Sequence, residues 1–524
     1  MAIQPQIPIY TFLKDHDSIA DQSIRRSQLS NEFERRFGRK PTHIKKRTLT
    51  LRFSSLIGEH IDYALFGVFP AAIERDILIA CAPRASHERS YGAVEVQNIH
   101  SKYLPRSFTP IRKPAFSSEY DEGNGGEWDL NINNNELRWE SYVKAGYYGV
   151  LNRFFSAHGY PVPVDLLIAG TVPAGSGLSS SAALVVASTL AFLAVNNKLE
   201  GVTKHTLVEM AMENEKRVGV NSGGMDQAAS VLSTPSSALY VSFYPHLTAS
   251  PAVIPRGTLV LASSCITSEK ATHARTRYNL RVVETLVAAR ILARHLNIHV
   301  GSRERITLRE VVGRFCGEPE GGWLEDSGDL RAALEKTVGY IGKLRPASAD
   351  SDGQEGVTLE TMIEWSGLSE EDFNKVYLSW VDVEATHFQL YKRARHVLTE
   401  ALRVLRFRDI CIANHEGVSD AVLCELGELM NASQTSCSVD YDCSCQELDQ
   451  LTQICRDAGA YGSRLTGAGW GGFTVSLVAE DRVTQFVETL RLAYEPFNNL
   501  GDEALAEVLF STKPSGGACV YVAN

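Results

Sequence analysis

Four short segments carry residue types that could handle a phosphate or a polyhydroxylated ligand. The first is Val172-Pro-Ala-Gly-Ser-Gly-Leu-Ser-Ser-Ser-Ala182, between an apolar run and a long apolar helix pattern. Glycines let a backbone approach a phosphate closely. A helix start offers unpaired N–H groups and the positive end of a dipole. Ser179, Ser180 and Ser181 add hydroxyls for capping, for phosphate oxygens or for a Mg²⁺ shell. The bland alternative is a serine N-cap after a glycine turn. No Lys follows the glycines, so this is not the lysine-containing P-loop pattern.

The second segment, Val218-Gly-Val-Asn-Ser-Gly-Gly-Met-Asp226-Gln227, places an Asp behind a glycine pair, where it could project into a cleft as a base. A turn-forming Asp is the competing account. In Leu56-Ile-Gly-Glu-His-Ile-Asp-Tyr63, two carboxylates and an imidazole fall within four residues, suited to sugar hydroxyls or a metal. Taken alone, an exposed polar turn explains that cluster better. Ser463-Arg-Leu-Thr-Gly-Ala-Gly-Trp-Gly-Gly472 puts four glycines in six residues before an apolar run: a tight loop near a ligand, or a connector packed under Trp470.

The surrounding pattern says what must position these segments. Ile24 to Phe37 reads as a charged helix, and 56–115 as strands and turns. Polar 117–135 reads as a loop. A strand fits Val164 to Ala169, and helices fit Ser180 to Asn196 and Lys204 to Arg217. Loops are expected at Arg314 to Gly322 and Arg345 to Gly356, an amphipathic helix at Asp382 to Arg406, and a strand at Phe473 to Val478. The mixed pattern lacks regular βαβ alternation, which makes an α+β enzyme of two domains the natural class.

At 524 residues the chain has room for about two to four domains. Its formal charge of −10 argues against general nucleic-acid binding, which needs clustered Lys and Arg. No apolar run is long enough to span a bilayer and no secretory leader is visible, so a cytoplasmic protein with no membrane partner is expected. The ten cysteines read as reduced thiols, Cys443 and Cys445 included, because no zinc-like second pair lies near them.

Together the four segments resemble the GHMP kinases and, within them, the galactokinases, in detail the fungal ones and their galactose-sensing relatives. The likeness extends through 278–284, 390–397 and from Tyr461 onward. It implies a two-domain GHMP kinase fold, with a ribosomal-protein-like domain over 1–240 and a ferredoxin-like domain over 241–524 that carries an insertion around 300–375. It also implies phosphorylation of the anomeric hydroxyl of galactose by ATP with Mg²⁺. On that likeness Glu59, His60 and Asp62 hold galactose hydroxyls, and Gly223, Asp226 and Tyr278 complete the pocket. Gly175, Gly177, Ser179 and Ser180 cradle the ATP phosphates, with Ser180 also on the metal. Gln227, Ser268, Glu269 and Lys270 face the nucleotide, and Trp139 is either an adenine wall or a core residue. Asp226 accepts or orients the hydroxyl proton. The alternatives are a non-catalytic galactose and ATP sensor bound to a transcriptional repressor, or a kinase for N-acetylgalactosamine.

One departure stands out. The family carries an Ala-Pro-Gly-Arg-Val-Asn stretch before the sugar box, and its Arg meets the transferring phosphate. Here Phe53 stands in the Arg position and Arg52 is displaced by one residue, towards the opposite face of a strand. A phosphoryl-transfer arginine is worth roughly 4–7 kcal/mol. Either the arginine is lost, or residues near Lys45 to Ser55 are translated intron, a reading the sequence of the transcript decides. The intact Gly177 to Ala182 stretch favours catalysis, and the missing Arg points towards the sensor.

Overall fold

The computed structural model describes residues 5–10, 20–48, 53–84, 91–113, 127–133, 138–171, 180–254, 257–268, 273–323, 328–346, 356–414 and 419–522. Two sheets organise it. The first has seven strands in the order Ile9–Tyr10, Val520–Val522, His43–Thr48, Ile77–Pro83, Val164–Gly170, Val94–Asn98 and Arg106–Phe108. Successive side chains of a strand point to opposite faces. In Ile77–Pro83 this sends Ile77, Ile79 and Cys81 into the main core, and Leu78, Ala80 and Ala82 against Leu29 and Phe33 of the Ala20–Phe37 helix. A strand covered on both faces reads as an unbroken apolar run, as this one does.

Helices Glu140–Phe154, Ser180–Val195, Lys204–Glu215 and Met225–Leu232 stack on the main-core face. Every residue from Ala182 to Val195 is buried, as expected of a helix that is apolar all round. Gly146 permits the closest approach: a Cβ there would sit 2.7 Å from the Val185 carbonyl oxygen.

The second sheet is antiparallel, in the order Gly462–Thr466, Phe473–Ala479, Gly257–Ser263 and Leu509–Thr512. The Tyr278–His295, Leu390–Ala413 and Asp420–Val439 helices share the main core with the first half, so the two halves meet over continuous apolar packing. The final strand, Val520–Val522, returns to the first sheet, between Ile9–Tyr10 and His43–Thr48.

Several expected boundaries move, for identifiable reasons. The long helix begins at Leu390 rather than Asp382, because Phe388 is tied in a backbone bridge to Val357. It runs on to Ala413 because Arg408, Ile410 and Cys411 continue its buried face. The expected loop from Arg314 opens inside the Leu308–Cys316 helix, which starts on a Thr307/Glu310 capping box and stops at Gly317 with φ 73°. Within expected loop 117–135, Trp128–Asp129 pairs with Ile111–Arg112. Of the second expected loop, residues 347–355 lie outside the described residues.

Val520 is completely buried in the returning strand. Val520→Ala is expected to cost about 1–3 kcal/mol, read as a fall in the urea midpoint. No change would mean that the last strand does not hold the first sheet closed.

Candidate active site

Between the two halves lies a cavity of about 1230 Å³. Glu59, His60, Asp62, Trp139, Ser180 and Asp226 line it from the first half, and Ser268, Tyr278, Gly467 and Ala468 from the second. The sugar box sits on the turn between the paired strands Phe53–Ile57 and Phe69–Ala72. Gly58 adopts φ 107° there, and a Cβ would press on Val68 and Val404. Its N–H donates to Glu400 Oε1 at 2.8 Å.

The box is fixed by groups far away in sequence. Arg464, with no exposed surface, donates from Nη1 to Glu59 Oε2 at 2.6 Å and to the Ser55 carbonyl at 3.1 Å. The Gly467 N–H donates to Glu59 Oε1 at 2.8 Å. Burial pushes the Glu59 carboxyl up to about 7, against the pull of Arg464 and the hydrogen bonds it accepts. His396 reaches the Glu59 carbonyl at 3.0 Å, and burial lowers its imidazole to about 4. The neutral ring donates there from Nε2 and accepts from Ser436 at Nδ1.

His60 has φ 60° and is 4% exposed. Its Nε2 lies 2.9 Å from the Ala468 carbonyl, an acceptor only, so Nε2 carries the proton; Nδ1 lies 3.1 Å from the Tyr63 hydroxyl. The Tyr63 and Tyr441 hydroxyls are hydrogen-bonded to each other. Tyr278, Tyr441 and Trp470 surround the imidazole at ring-centroid distances of 5.2, 4.9 and 5.7 Å. His60 thus braces the glycine loop of the second half.

Asp62 accepts from the backbone N–H of Tyr63 at 2.9 Å and of Met225 at 3.2 Å. Gly223 lies against it, and a Cβ would collide with the Asp62 carboxyl carbon and the Tyr63 nitrogen. Asp226 follows in the first turn of the Met225–Leu232 helix, where the dipole stabilises negative charge. Tyr278 is buried, and that burial, with the Asp62 and Asp226 carboxylates nearby, holds its phenol far above the usual range as a donor.

Ser180 opens its helix on the cavity wall, and Ser268 donates to the Gly469 carbonyl at 2.7 Å. Gln227 is not among the residues that line the cavity: it is fully buried and donates to Glu215 Oε2 at 2.6 Å, and Glu215 stands on the cavity wall. Trp139 lines the cavity beside Tyr103, Arg138 and Glu140. Gly175, Gly177, Ser179, Glu269, Lys270 and Arg52 lie outside the described residues. Phe53 pairs through its backbone with Ala72.

Sequence reasoning passed over Glu215, a buried carboxylate on the cavity wall, and gave no role to Arg464, Glu400 or Tyr441. Glu215 ends the helix before the glycine turn, a position that was open to reading. Among the described lining residues the Lys and Arg side chains are Arg25, Arg75, Lys102, Arg106 and Arg138. None comes from the sugar box, the Asp226 helix start or Tyr278.

Burial alone would raise the Glu400 carboxyl, yet Arg403, Arg464, His396 and Ser433 bring it down to about 2. Its folded value lies below its unfolded one, so its contribution to stability is present above about pH 4.5 and is lost as pH falls towards 2. Glu400→Gln is expected to cost roughly 3 kcal/mol at pH 7 and about half of that at pH 3, from urea midpoints of both proteins. A gap of equal size at the two pH values is incompatible with this role.

Family models match the chain in three places: the GHMP kinase N-terminal domain over residues 141–234, the GHMP kinase C-terminal domain over 421–495, and the galactokinase galactose-binding signature over 54–83. A galactokinase of Dictyostelium discoideum is 34% identical over 89% of this chain and 88% of its own length. One from Saccharomyces cerevisiae is 32% identical over 89% of each. The crystal structure of Lactococcus lactis galactokinase complexed with galactose superposes with a TM-score of 0.63 at 22% identity, covering 94% of this chain and 98% of that one. That likeness speaks for the fold. Near-full-length identity above 30%, with the signature falling on the Glu59 turn itself, makes the chain a member of the galactokinase family of GHMP kinases.

Proposed function

We propose that the chain transfers the γ-phosphoryl group of ATP to the anomeric hydroxyl of α-D-galactose, giving galactose 1-phosphate and ADP. The observation that carries this reading is the meeting of Glu59, Asp62, Asp226 and Tyr278 with the Ser180 helix start on one cavity. The Asp62 and Glu59 carboxylates accept backbone and guanidinium hydrogen bonds and keep lone pairs for sugar hydroxyls. Tyr278 offers a phenolic donor. Gly223 leaves room because no side chain intervenes between its backbone and Asp62.

Phosphoryl transfer asks mainly for positioning and charge stabilisation. Asp226 orients the attacking hydroxyl and receives its proton as the O–P bond forms. The reference carboxylate is a weak base, near pKa 3.9, so alignment matters more than early abstraction. The N-terminus of the Ser180–Val195 helix directs unpaired N–H groups at the phosphates. Glu215 and Ser180 on the cavity wall are oxygen donors of the kind Mg²⁺ takes, and a bound Mg²⁺ would neutralise phosphate charge. We place the protein in the cytoplasm; no helix among the described residues is long and apolar enough to cross a membrane.

A second reading, a galactose and ATP sensor acting on a transcriptional repressor, draws support from Phe53 in the arginine position. Galactose-dependent ADP release beside calorimetric galactose binding separates the two: binding without turnover selects the sensor. For the kinase, Asp226→Asn is expected to lower kcat roughly 10²–10⁴-fold while galactose affinity moves little. Undiminished galactose 1-phosphate production by that variant would end the assignment. Phe53→Arg is expected to raise kcat at least about tenfold in steady-state assays, and an unchanged rate would show that this position does not reach the phosphate.

A further inference from the structure

The Tyr278–His295 helix presents Tyr278 to the main cavity at its start. About 18 Å further along its axis, at Arg290, it borders a separate cavity of about 330 Å³. Arg290 and Arg294, four residues apart and so on one face of the helix, line that cavity with His299, Ser302, Ser366 and Gly367. Among the described residues no Asp or Glu lines it.

Arg290 is 5% exposed. It donates from Nε to the Tyr377 hydroxyl at 2.7 Å, and from Nη2 to the Gly301 and Glu304 carbonyls at 2.7 and 2.9 Å. Arg294 donates from Nη1 to the Glu364 and Trp365 carbonyls, at 3.2 and 3.1 Å, where the Leu359–Ser366 helix ends. All five acceptors are neutral. The Glu304 carboxylate lies in the field of Arg290, but Arg314 and the Gly301 N–H hold it. Arg290 Nη1 has no partner among the described residues and is not one of the sealed polar atoms of the interior, so it meets the cavity. Gly367 keeps the second guanidinium open, since a Cβ there would sit 3.0 Å from its central carbon.

The charges do not balance without an anion. Like charges four residues apart on a helix oppose each other, and a guanidinium taken out of water needs an opposite charge to offset its desolvation. Carbonyl ends could be capped by neutral donors. The two helix C-termini supply at most about half a negative charge each, and Arg314 cancels Glu304, so about one positive charge is left over.

We propose that this cavity binds a phosphate group, free or at the end of a small monoester, between the Arg290 and Arg294 guanidiniums. Ser302 and His299 offer further donors. Together these groups present more N–H and O–H bonds than the two oxygens of a carboxylate can take, and a phosphate has three terminal oxygens. The site stands apart from the sugar box and from Ser180, so it holds whether or not the proposed reaction does.

The test is calorimetric titration of inorganic phosphate, glycerol 3-phosphate and acetate into the full chain at fixed ionic strength. Phosphate or the monoester is expected to bind at least about tenfold tighter than acetate, and whichever binds names the source. Arg294→Gln should weaken it roughly ten- to a hundredfold, the worth of a hydrogen bond to a charged group. Galactose affinity should stay within about twofold, as expected of distant sites. If that variant fails to fold, phosphate should protect Arg294 of the wild-type chain from phenylglyoxal, read by peptide mass spectrometry. Acetate binding as tightly as phosphate, an affinity that survives Arg294→Gln, or Arg294 modified equally fast with and without phosphate overturns the inference.

Discussion

The reaction centre hangs on Arg464, a guanidinium with no exposed surface. Taking a charge of this kind out of water costs several kcal/mol even after relaxation, and only close partners offset it. Arg464 has them in Glu59 Oε2, the Ser55 carbonyl and the Cys437 sulfur, with the Glu400 carboxylate near enough to add to the field. The four partners come from three stretches: the sugar box and its strand, the Asp420–Val439 helix, and the Leu390–Ala413 helix. Neither half can slide past the other without leaving one of these charges buried and unpaired. The cleft is therefore set by a charge balance as well as by apolar packing.

A second buried cluster does the same for the aromatic side of the site. Arg281 donates to the Tyr441 carbonyl at 2.8 Å and to Asp442, and Arg393 donates to the Asp440 carbonyl at 2.6 Å. Glu284 lies between them, 2.9 Å from Arg393 and 3.3 Å from Arg281. Two helices thus clamp one turn, and that turn presents Tyr441 to Tyr63 and His60. The stretches 278–284 and 390–397 thus supply the clamp through Arg281, Glu284 and Arg393, beside Tyr278 on the cavity.

Where the sequence was legible, local physics decided the outcome. The apolar Ser180 helix and the Val164–Gly170 strand each follow from apolar pattern within a few residues. The sugar box and the Asp226 turn were visible as candidates, because carboxylates beside glycines are unusual. Their partners were not. Arg464 lies 405 residues from Glu59, and nothing in either neighbourhood announces the pair. His60 was expected to reach for hydroxyls; the fold instead gives both its nitrogens protein neighbours, a fact only tertiary packing could supply. Gln227, expected to face the nucleotide, is buried and donates to Glu215, a partner that its neighbourhood in the sequence does not announce.

Carboxylates set the charge of the cavity. Asp62, Glu215 and Asp226 face the same cavity, and Glu59 is matched by Arg464 alone. Two unit charges 4 Å apart at an effective dielectric near 20 interact by about 4 kcal/mol, so each carboxylate there opposes a polyphosphate appreciably. Helix N-termini return part of that, at about half a charge each. The rest must come from a cation.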